Sequence, residues 1–278
     1  MTSECRLIIN PPASGPWNMA VDEALLIDAA ENGVATLRFY QWSEPTLSLG
    51  YFQRYADRYQ HAPSRDCAIV RRQTGGGAIL HDRELTYSLT LPAGHRLARK
   101  TQSLYAAVHD AFIAAIEPAL AADRSRWTLL RREIQLTPSP HDDPFLCFQR
   151  QAPGDIVLVA NSAENDAASQ TEIVPRSDWK ILGSAQRRHR GAILQHGSLL
   201  LERSPAAPEL PGIRDLAGSK IDLQQLIDRR QLAVAVSVRL AAALDVRLLR
   251  SDFPPELESI AEEIANVKYR HAGWTNRR

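Results

Sequence analysis

Cys147 and Lys180 are the residues of this sequence best suited to chemistry at a carbonyl group. Cys147 lies in a proline-bounded segment with aromatic neighbours. A cysteine in such a place is either a small apolar core residue or a nucleophile, and a nucleophile needs a cation or a helix N-terminus that stabilises its thiolate. Lys180 would supply that cation if the fold brought the two residues together, which the sequence does not establish. Cys67, inside an apolar strand, fits the core role better, and Cys5 is expected to be terminal and inert.

Lys180 is open to two interpretations of its own. It enters an apolar strand and is followed by Gly183, Ser184, Ala185 and Gln186. A lysine in a strand usually lies at a solvated sheet edge. A lysine directed into a cleft instead polarises a carbonyl or stabilises a thiolate. The residues themselves support both interpretations equally.

Two histidines are further candidates. His196, followed by Gly197, interrupts an apolar strand, where a histidine is more often hydrogen-bonded structurally than part of a pocket. His81 ends a glycine-rich segment, which raises the odds of a binding role. The sequence has no Ser-His-Asp order, no metal-binding histidine pattern and no paired Cys-x-x-Cys, so metal catalysis and serine hydrolysis are weak hypotheses.

The glycine-rich segment, residues 71–81, contains Gly75, Gly76 and Gly77 in a row between two strand-like stretches. Consecutive glycines cost backbone entropy and are favoured where the chain needs a positive φ or a close approach. Bare N–H groups flanked by Arg71, Arg72 and a histidine would suit an anionic or carbonyl-bearing ligand. The glycines alone favour a plain hairpin turn, because no Walker lysine or dinucleotide-binding pattern follows them.

Composition bounds the class of protein. The 278 residues are 44% hydrophobic and 23% charged, with a formal net charge of +1. This is an ordinary globular composition, and the near-neutral charge argues against bulk electrostatic binding of nucleic acid. The N-terminus does not resemble a secretory signal and no apolar run approaches membrane-spanning length. Three widely spaced cysteines predict neither a disulfide framework nor a zinc pair, which favours a cytoplasmic location.

Strands and helices interleave without a regular βαβ alternation, which predicts an α+β domain with a mixed sheet. The basic segment 187–190 is read as a solvated turn, with a dock for an acidic partner as the alternative. Residues 160–178 are read as a mobile insertion, and Asp252 as the cap of the last helix. Strands are predicted at 35–40, 46–49, 67–70, 85–91, 127–130, 155–159, 179–186 and 192–201. Helices are predicted from Pro16 to Gly33, around 104–115, and at 223–229, 232–244 and 255–269.

Several of these segments, taken together, resemble the lipoate–protein ligase A / octanoyltransferase family. The likeness spreads over roughly residues 15 to 202, and its pieces follow the family's order. The tail, with Lys268-Tyr269 and Gly273-Trp274, and the Cys147-Phe148 pair look like the LipM type of octanoyltransferase. The matching segments are Asn18-Met19-Ala20-Val21-Asp22-Glu23-Ala24-Leu25, then residues 71–81, 85–89, 180–186 and 194–199.

The resemblance implies a biotin/lipoate protein ligase (BPL/LPL) catalytic-domain fold, with a mixed β-sheet flanked by helices. It implies one such domain over 1–278, with a helical C-terminal segment at 205–278. It also implies that Cys147 is the acyl-accepting nucleophile and that Lys180 borders the thioester carbonyl. The residues implied to bind substrate are Arg72, Gly75, Gly76, Gly77, His81, Ser184, Ala185, Gln186, His196 and Gly197.

The implied activity is a protein octanoyltransferase of lipoate biosynthesis that needs no cofactor. Octanoyl-acyl carrier protein would be the donor, and a lysine of a lipoyl-domain protein, such as the glycine-cleavage H protein, the acceptor. An ATP-dependent lipoate–protein ligase, which would need ATP and magnesium, is the alternative. A lipoyl amidotransferase and a silent paralogue that only binds lipoyl domains stay open as well.

Overall fold

A mixed sheet of eight strands forms the centre of the described part of the chain. The computed structural model describes residues 3–120, 127–133, 144–161, 178–217 and 228–278. The first three strands below run parallel to one another, and every later neighbour pairs antiparallel. The spatial order is β11 (Val246–Arg250), β1 (Ser3–Ile9), β2 (Ala35–Tyr40), β6 (Glu84–Leu91), β10 (Ala192–Leu200), β9 (Asp178–His189), β8 (Ile156–Ala160) and β7 (Trp127–Arg131).

Helices cover both faces of this sheet, as the sequence predicts. On β1, Leu7 packs into the cluster that includes Leu104 and Val236, while Ile8 packs with Leu25 and Leu257 on the other face, because successive strand side chains point to opposite sides. The helices are α1 (Gly15–Glu31), α2 (Thr101–Leu120), α3 (Ile213–Ala217), α4 (Arg229–Leu244), α5 (Pro255–Ile264) and α6 (Ala272–Thr275). A π-helical turn, Ala265–Tyr269, follows α5.

A second sheet of three strands carries the glycine-rich segment. Its order is β4 (Ala68–Arg71), β3 (Thr46–Leu49) and β5 (Ile79–His81), with β3 parallel to β4 and antiparallel to β5. Residues 72–78 therefore pass from one edge of this sheet to the other. The expected hairpin turn is wrong, because β3 lies between the two strands that the glycines connect.

Two strands of the large sheet were missed in the sequence. β1 and β11 pair parallel to each other across most of the chain length, with Ser3 opposite Val246. Cys5 is therefore a buried residue of β1 rather than part of a loose terminus, and burial raises the pKa of its thiol to about 12. The segment 205–278 likewise contains a strand in addition to its helices.

The basic run after Lys180 is also different from the prediction. β9 continues through Arg187 and Arg188 to His189, and the turn is formed by Arg190 and Gly191, with φ of 46° and 86°. Two consecutive positive φ angles are typical of the tight turn that joins two antiparallel strands. The arginines therefore project from a strand.

The C-terminal helix prediction holds in position but not in its cap. α5 begins at Pro255 with Pro254 as its N-cap, and no side chain caps it, so the proposed role of Asp252 is wrong. Most of the predicted helix 223–229 and of the predicted insertion 160–178 lies outside the described residues. No helix in the described ranges is long and apolar enough to cross a membrane.

Candidate active site

Cys147 and Lys180 meet in the structure. Cys147 begins a short 3₁₀ turn, Cys147–Gln149, and its backbone N–H donates to the Ala78 carbonyl at 2.7 Å. The Lys180 Nζ lies 3.7 Å from the Cys147 Sγ. The thiolate is the reactive form of a cysteine, and a neighbouring cation is one of the arrangements found beside nucleophilic cysteines. The pair therefore has the geometry of an activated nucleophile and its cation.

Lys180 is buried and doubly paired. Its Nζ lies 2.9 Å from the Asp155 Oδ2 in addition to its contact with the sulfur of Cys147. Burial disfavours the ammonium, but the charges of Cys147 and Asp155 outweigh it, so the pKa of Lys180 is raised above its ordinary 10.5. A Cβ at Gly183 would lie 2.4 Å from the Lys180 Cε, so the glycine makes room for the lysine. The solvated-edge interpretation of Lys180 is wrong.

Asp155 is a site residue that the sequence interpretation missed. Its Oδ2 also accepts from the Ala152 backbone N–H at 2.7 Å, and its Oδ1 accepts from the Tyr105 hydroxyl at 3.0 Å. Tyr105 in turn accepts from the Ser184 backbone N–H at 3.1 Å. These bonds fix the carboxylate, and the carboxylate fixes the position of the Lys180 ammonium.

Ser184 sits in a directional chain of hydrogen bonds. His109 uses Nδ1 to donate to the Gly154 carbonyl at 2.7 Å, so its Nε2 accepts from the Ser184 hydroxyl at 2.7 Å. Ser184 then accepts from Tyr87, which accepts from the Gln195 amide. His109, on α2, was not predicted, although it lies four residues from Tyr105 on the buried side of a recognised helix.

The glycine-rich segment lies directly against the cysteine. A Cβ at Gly77 would approach the backbone of Cys147 to 3.2 Å, and a Cβ at Gly76, where φ is +94°, would lie 4.0 Å from its Sγ. Arg72 is buried and donates to the carbonyls of Gly75 and Gly77 at 2.8 and 2.7 Å. The guanidinium therefore holds the glycine backbone in place.

His196 ties this segment to the core. Its Nε2 lies 2.7 Å from the Thr74 Oγ1 and its Nδ1 lies 3.1 Å from the Asp22 Oδ2. Asp22 is buried and also pairs with Arg38 at 2.8 Å. His196 thus fulfils both interpretations, because it is structurally bonded and also faces the cavity.

His81 lies in the buried part of the same site. Its Nε2 is 2.8 Å from the Ser48 hydroxyl, its Nδ1 is 2.5 Å from the Glu84 Oε1, and its ring stacks on Trp42 at 3.9 Å. Trp42 donates to Thr86 at 2.9 Å. Buried polar and aromatic groups therefore form this part of the cavity lining.

These elements enclose a cavity of about 320 Å³, near the lower end of the size range of small-molecule sites. Cys147 and Phe148 lie on its wall with Met19, Trp42 and Ile79. Of the ten predicted binding residues, Gly77 alone is outside the lining, because it packs behind Cys147. The nine that line the cavity are Arg72, Gly75, Gly76, His81, Ser184, Ala185, Gln186, His196 and Gly197.

Comparison with known proteins identifies the family to which the chain belongs. The lipoyl protein ligase A/B catalytic domain family matches residues 14–207, a range that contains every side chain of the cavity. The chain belongs to this family.

Relatives within the lipoyl protein ligase A/B family match nearly the full length. Octanoyltransferase LipM of Brevibacillus brevis is 31% identical, over 98% of this chain and 99% of the relative. Octanoyltransferase LipM of Moorella thermoacetica is 30% identical, over 100% of both chains. The tail beyond residue 207 is therefore shared with these relatives as well.

Solved structures of family members agree on the fold. A putative lipoate protein ligase from Thermoplasma acidophilum, Ta0514, superposes with a TM-score of 0.68 at 20% identity and covers 100% of both chains. A lipoate-protein ligase A bound with ATP gives a TM-score of 0.65 at 18% identity, over 99% of both chains. The predicted lipoate ligase fold is confirmed.

Gly50→Ala tests the packing of the glycine-rich segment. A Cβ at Gly50 would lie 2.0 Å from the Gly76 carbonyl oxygen, so the backbone of the segment must move. We expect a loss of about 1–3 kcal/mol in the free energy of unfolding and slower alkylation of Cys147. Gly94→Ala is the matched control, since a Cβ there meets nothing within 4 Å. Equal denaturant midpoints for the two variants would contradict the close approach.

His109 predicts a pH dependence of stability. Burial lowers the pKa of His109 from 6.5 to about 3, partly opposed by its bond to Gly154 and reinforced by Lys180 and Arg131. Between pH 3 and pH 6.5, His109 is therefore protonated in the unfolded chain but neutral in the folded chain. Its contribution to the free energy of unfolding is present in full above pH 6.5 and is lost as the pH falls toward 3. The slope from this residue is at most about 1.4 kcal/mol per pH unit.

His109→Gln separates this contribution from the other titrating groups. Urea unfolding between pH 6.5 and pH 4 is expected to give a shallower decline of the free energy of unfolding in the variant than in the wild type. The difference between the two slopes should approach the value for one proton, about 1.4 kcal/mol per pH unit. Parallel declines would show that His109 does not stay neutral in the folded protein.

Proposed function

We propose that this chain is a protein octanoyltransferase of lipoate biosynthesis that works through a thioester on Cys147. Cys147 lies on the wall of a cavity, and the contact of its Sγ with the buried Lys180 Nζ, 3.7 Å away, carries the proposal. The full-length similarity to LipM octanoyltransferases supports the choice of octanoyl transfer. Octanoyl-acyl carrier protein is the proposed donor, and a lipoyl-domain protein such as the glycine-cleavage H protein the proposed acceptor.

In the first step, the Cys147 thiolate attacks the carbonyl carbon of the donor thioester. A bond forms between that carbon and Sγ, and the bond to the donor sulfur breaks, so that the donor leaves as a thiolate and takes up a proton. Dividing the transfer into two acyl steps is the general advantage of a cysteine nucleophile. Lys180 stabilises Cys147 before the attack and the negative charge that develops during it.

The tetrahedral oxygen also needs hydrogen-bond donors. Among the described residues, the backbone N–H group of Gly76, which lines the cavity, has no acceptor. A Cβ at Gly76 would lie 4.0 Å from the Cys147 Sγ, and backbone N–H groups so placed stabilise oxyanions. We assign the Gly76 N–H this role. Arg72 then acts indirectly, by fixing the carbonyls on either side of Gly76.

In the second step, the neutral ε-amine of the acceptor lysine attacks the Cys147 thioester. The new amide bond replaces the bond to Sγ, and the departing thiolate receives the proton that the amine loses. The octanoyl chain lies in the cavity throughout, where burial contributes about 0.8 kcal/mol for each methylene group. Neither step requires a cofactor.

The donor is the property that separates this proposal from an ATP-dependent ligase. The purified chain should octanoylate a lipoyl domain when given octanoyl carrier protein without nucleotide. Mass spectrometry of the lipoyl domain would detect the product. The chain would instead be an ATP-dependent ligase if it modified the lipoyl domain only with free octanoate or lipoate, ATP and magnesium, and if Cys147→Ala did so equally well. Lipoyl transfer from an already modified protein in preference to the carrier would indicate an amidotransferase.

A further inference from the structure

Three exposed arginines converge on one aromatic ring outside the cavity. The guanidinium carbons of Arg187, Arg277 and Arg278 lie 5.8, 4.5 and 5.7 Å from the centre of the Tyr51 ring. Phe52, which is 68% exposed, packs edge-on against Tyr51 at 4.9 Å and also lies 5.2 Å below Arg278. We call these five residues the Tyr51 patch.

The arginines of the Tyr51 patch lack the carboxylate partners that some other surface arginines have. Arg190 pairs with Glu31 and Arg214 with Glu202, each at 2.9 Å. Within the described ranges, Arg187, Arg277 and Arg278 form no ion pair. Three unpaired cations around one ring repel one another, and the chain as a whole has a net charge of only +1. No carboxylate side chain among the described residues therefore neutralises the positive charge of the patch.

The Tyr51 patch borders the cavity mouth. A Cβ on Gly75, which lines the cavity, would lie 3.8 Å from the Phe52 ring. The next residue, Gly76, is the one whose Cβ would approach the Cys147 Sγ to 4.0 Å. The glycine-rich segment thus contacts the Tyr51 patch at one residue and faces the nucleophile at the next.

The Tyr51 patch is held in place before any partner binds. The Tyr55 N–H donates to the Arg278 carbonyl at 2.7 Å, and buried Arg71 donates to the Thr275 carbonyl at 2.9 and 2.8 Å. Trp274 donates back to the Arg71 carbonyl at 2.8 Å. A surface that is already ordered loses less conformational entropy on binding.

We infer that the Tyr51 patch docks the acidic surface of the protein that carries the acyl donor. The inference rests on the proposed octanoyl transfer. Arginine and aromatic side chains together are the composition of interface hot spots, and clustered charge of one sign attracts a partner of the other. An acyl arm joined to its carrier through a phosphodiester adds an anion that guanidinium groups bind well. The acceptor presents a lysine side chain without such an anion, so the patch suits the donor better.

The test is the double charge reversal Arg277→Glu with Arg278→Glu. Acylation of Cys147 is measured by quenched-flow mass spectrometry with two donors, octanoyl carrier protein and the uncharged thioester octanoyl-N-acetylcysteamine. We expect kcat/KM for the carrier protein to fall by about 10-fold to 100-fold, together with its dependence on salt. The rate with the small thioester should stay within about twofold, which also shows that the variant is folded.

Arg230→Glu with Arg250→Glu changes the net charge by the same amount and is the matched control, because both arginines are exposed and form no ion pair within the described residues. Equal loss in this control, or no loss in the patch variant, would overturn the docking surface. A variant that accepts octanoyl groups normally but transfers them poorly to the lipoyl domain would place the acceptor there and also overturn it. Failure of the wild type with both donors would instead refute the proposed function.

Discussion

Cys147→Ala is expected to lower octanoyl transfer from carrier protein to a lipoyl domain by about 10³-fold or more. Losses of this size follow when the nucleophile is removed from a set of catalytic residues that act together. Alanine removes the sulfur that accepts the acyl group but leaves Lys180 paired with Asp155 at 2.9 Å. The variant should therefore fold normally. Initial rates of lipoyl-domain modification, followed by mass spectrometry, give the measurement.

Cys67→Ala is the control for that variant. Cys67 is partly buried. Burial, and to a smaller extent the negative charges of Asp82 and Asp66, raise the pKa of its thiol, so Cys67 is a poor nucleophile. Transfer by Cys67→Ala should stay within about twofold of the wild type, as for a substitution away from the site. If Cys147→Ala retained wild-type transfer while Cys67→Ala lost it, the assignment of the nucleophile would be wrong.

Lys180→Met is expected to lower transfer by about 10²-fold to 10³-fold, because the charge that stabilises the thiolate and the oxyanion is removed. It should also lower the free energy of unfolding by about 3 kcal/mol, since the carboxylate of Asp155 is then buried without its cation. Both partners are at most 6% exposed, so solvent does not compensate. Steady-state rates and urea denaturation measure the two effects.

The double variant Lys180→Met with Asp155→Asn separates the two roles. The neutral amide in place of the Asp155 carboxylate would remove the unpaired charge. Its oxygen would still accept from the Ala152 N–H and its NH2 would donate to the Tyr105 hydroxyl, so most of the stability should return. Transfer should stay as low as in the single variant. Recovery of activity along with stability would mean that Lys180 serves the fold alone.

The local elements around the site were predictable from the sequence. α1 begins where Pro16 predicts it, and β10 occupies nearly all of the predicted apolar run. Lys180 was placed correctly in a strand, because the apolar residues after it are local information. Such signals need only neighbouring residues, and most of the chain's strands and helices have them.

Contacts between distant segments were not predictable in the same way. The sequence does not give the irregular register of β8 against β9, which places Lys180 opposite Val157 and beside Asp155. The same holds for β1 and β11, which are stabilised by pairing with each other across most of the chain. Asp155 and His109 gained their roles only through such contacts, although the spacing of Tyr105 and His109 on one side of α2 could have indicated a polar site.

The decisive measurement is the intact mass of the chain after incubation with octanoyl carrier protein and no acceptor. The account predicts an increase of one octanoyl group on the wild type, lost on addition of hydroxylamine, mapped by peptide digestion to Cys147, and transferred when a lipoyl domain is added. Cys147→Ser should form no hydroxylamine-sensitive adduct. A wild-type chain that transfers octanoyl groups to the lipoyl domain without ever carrying one on Cys147 would contradict the account.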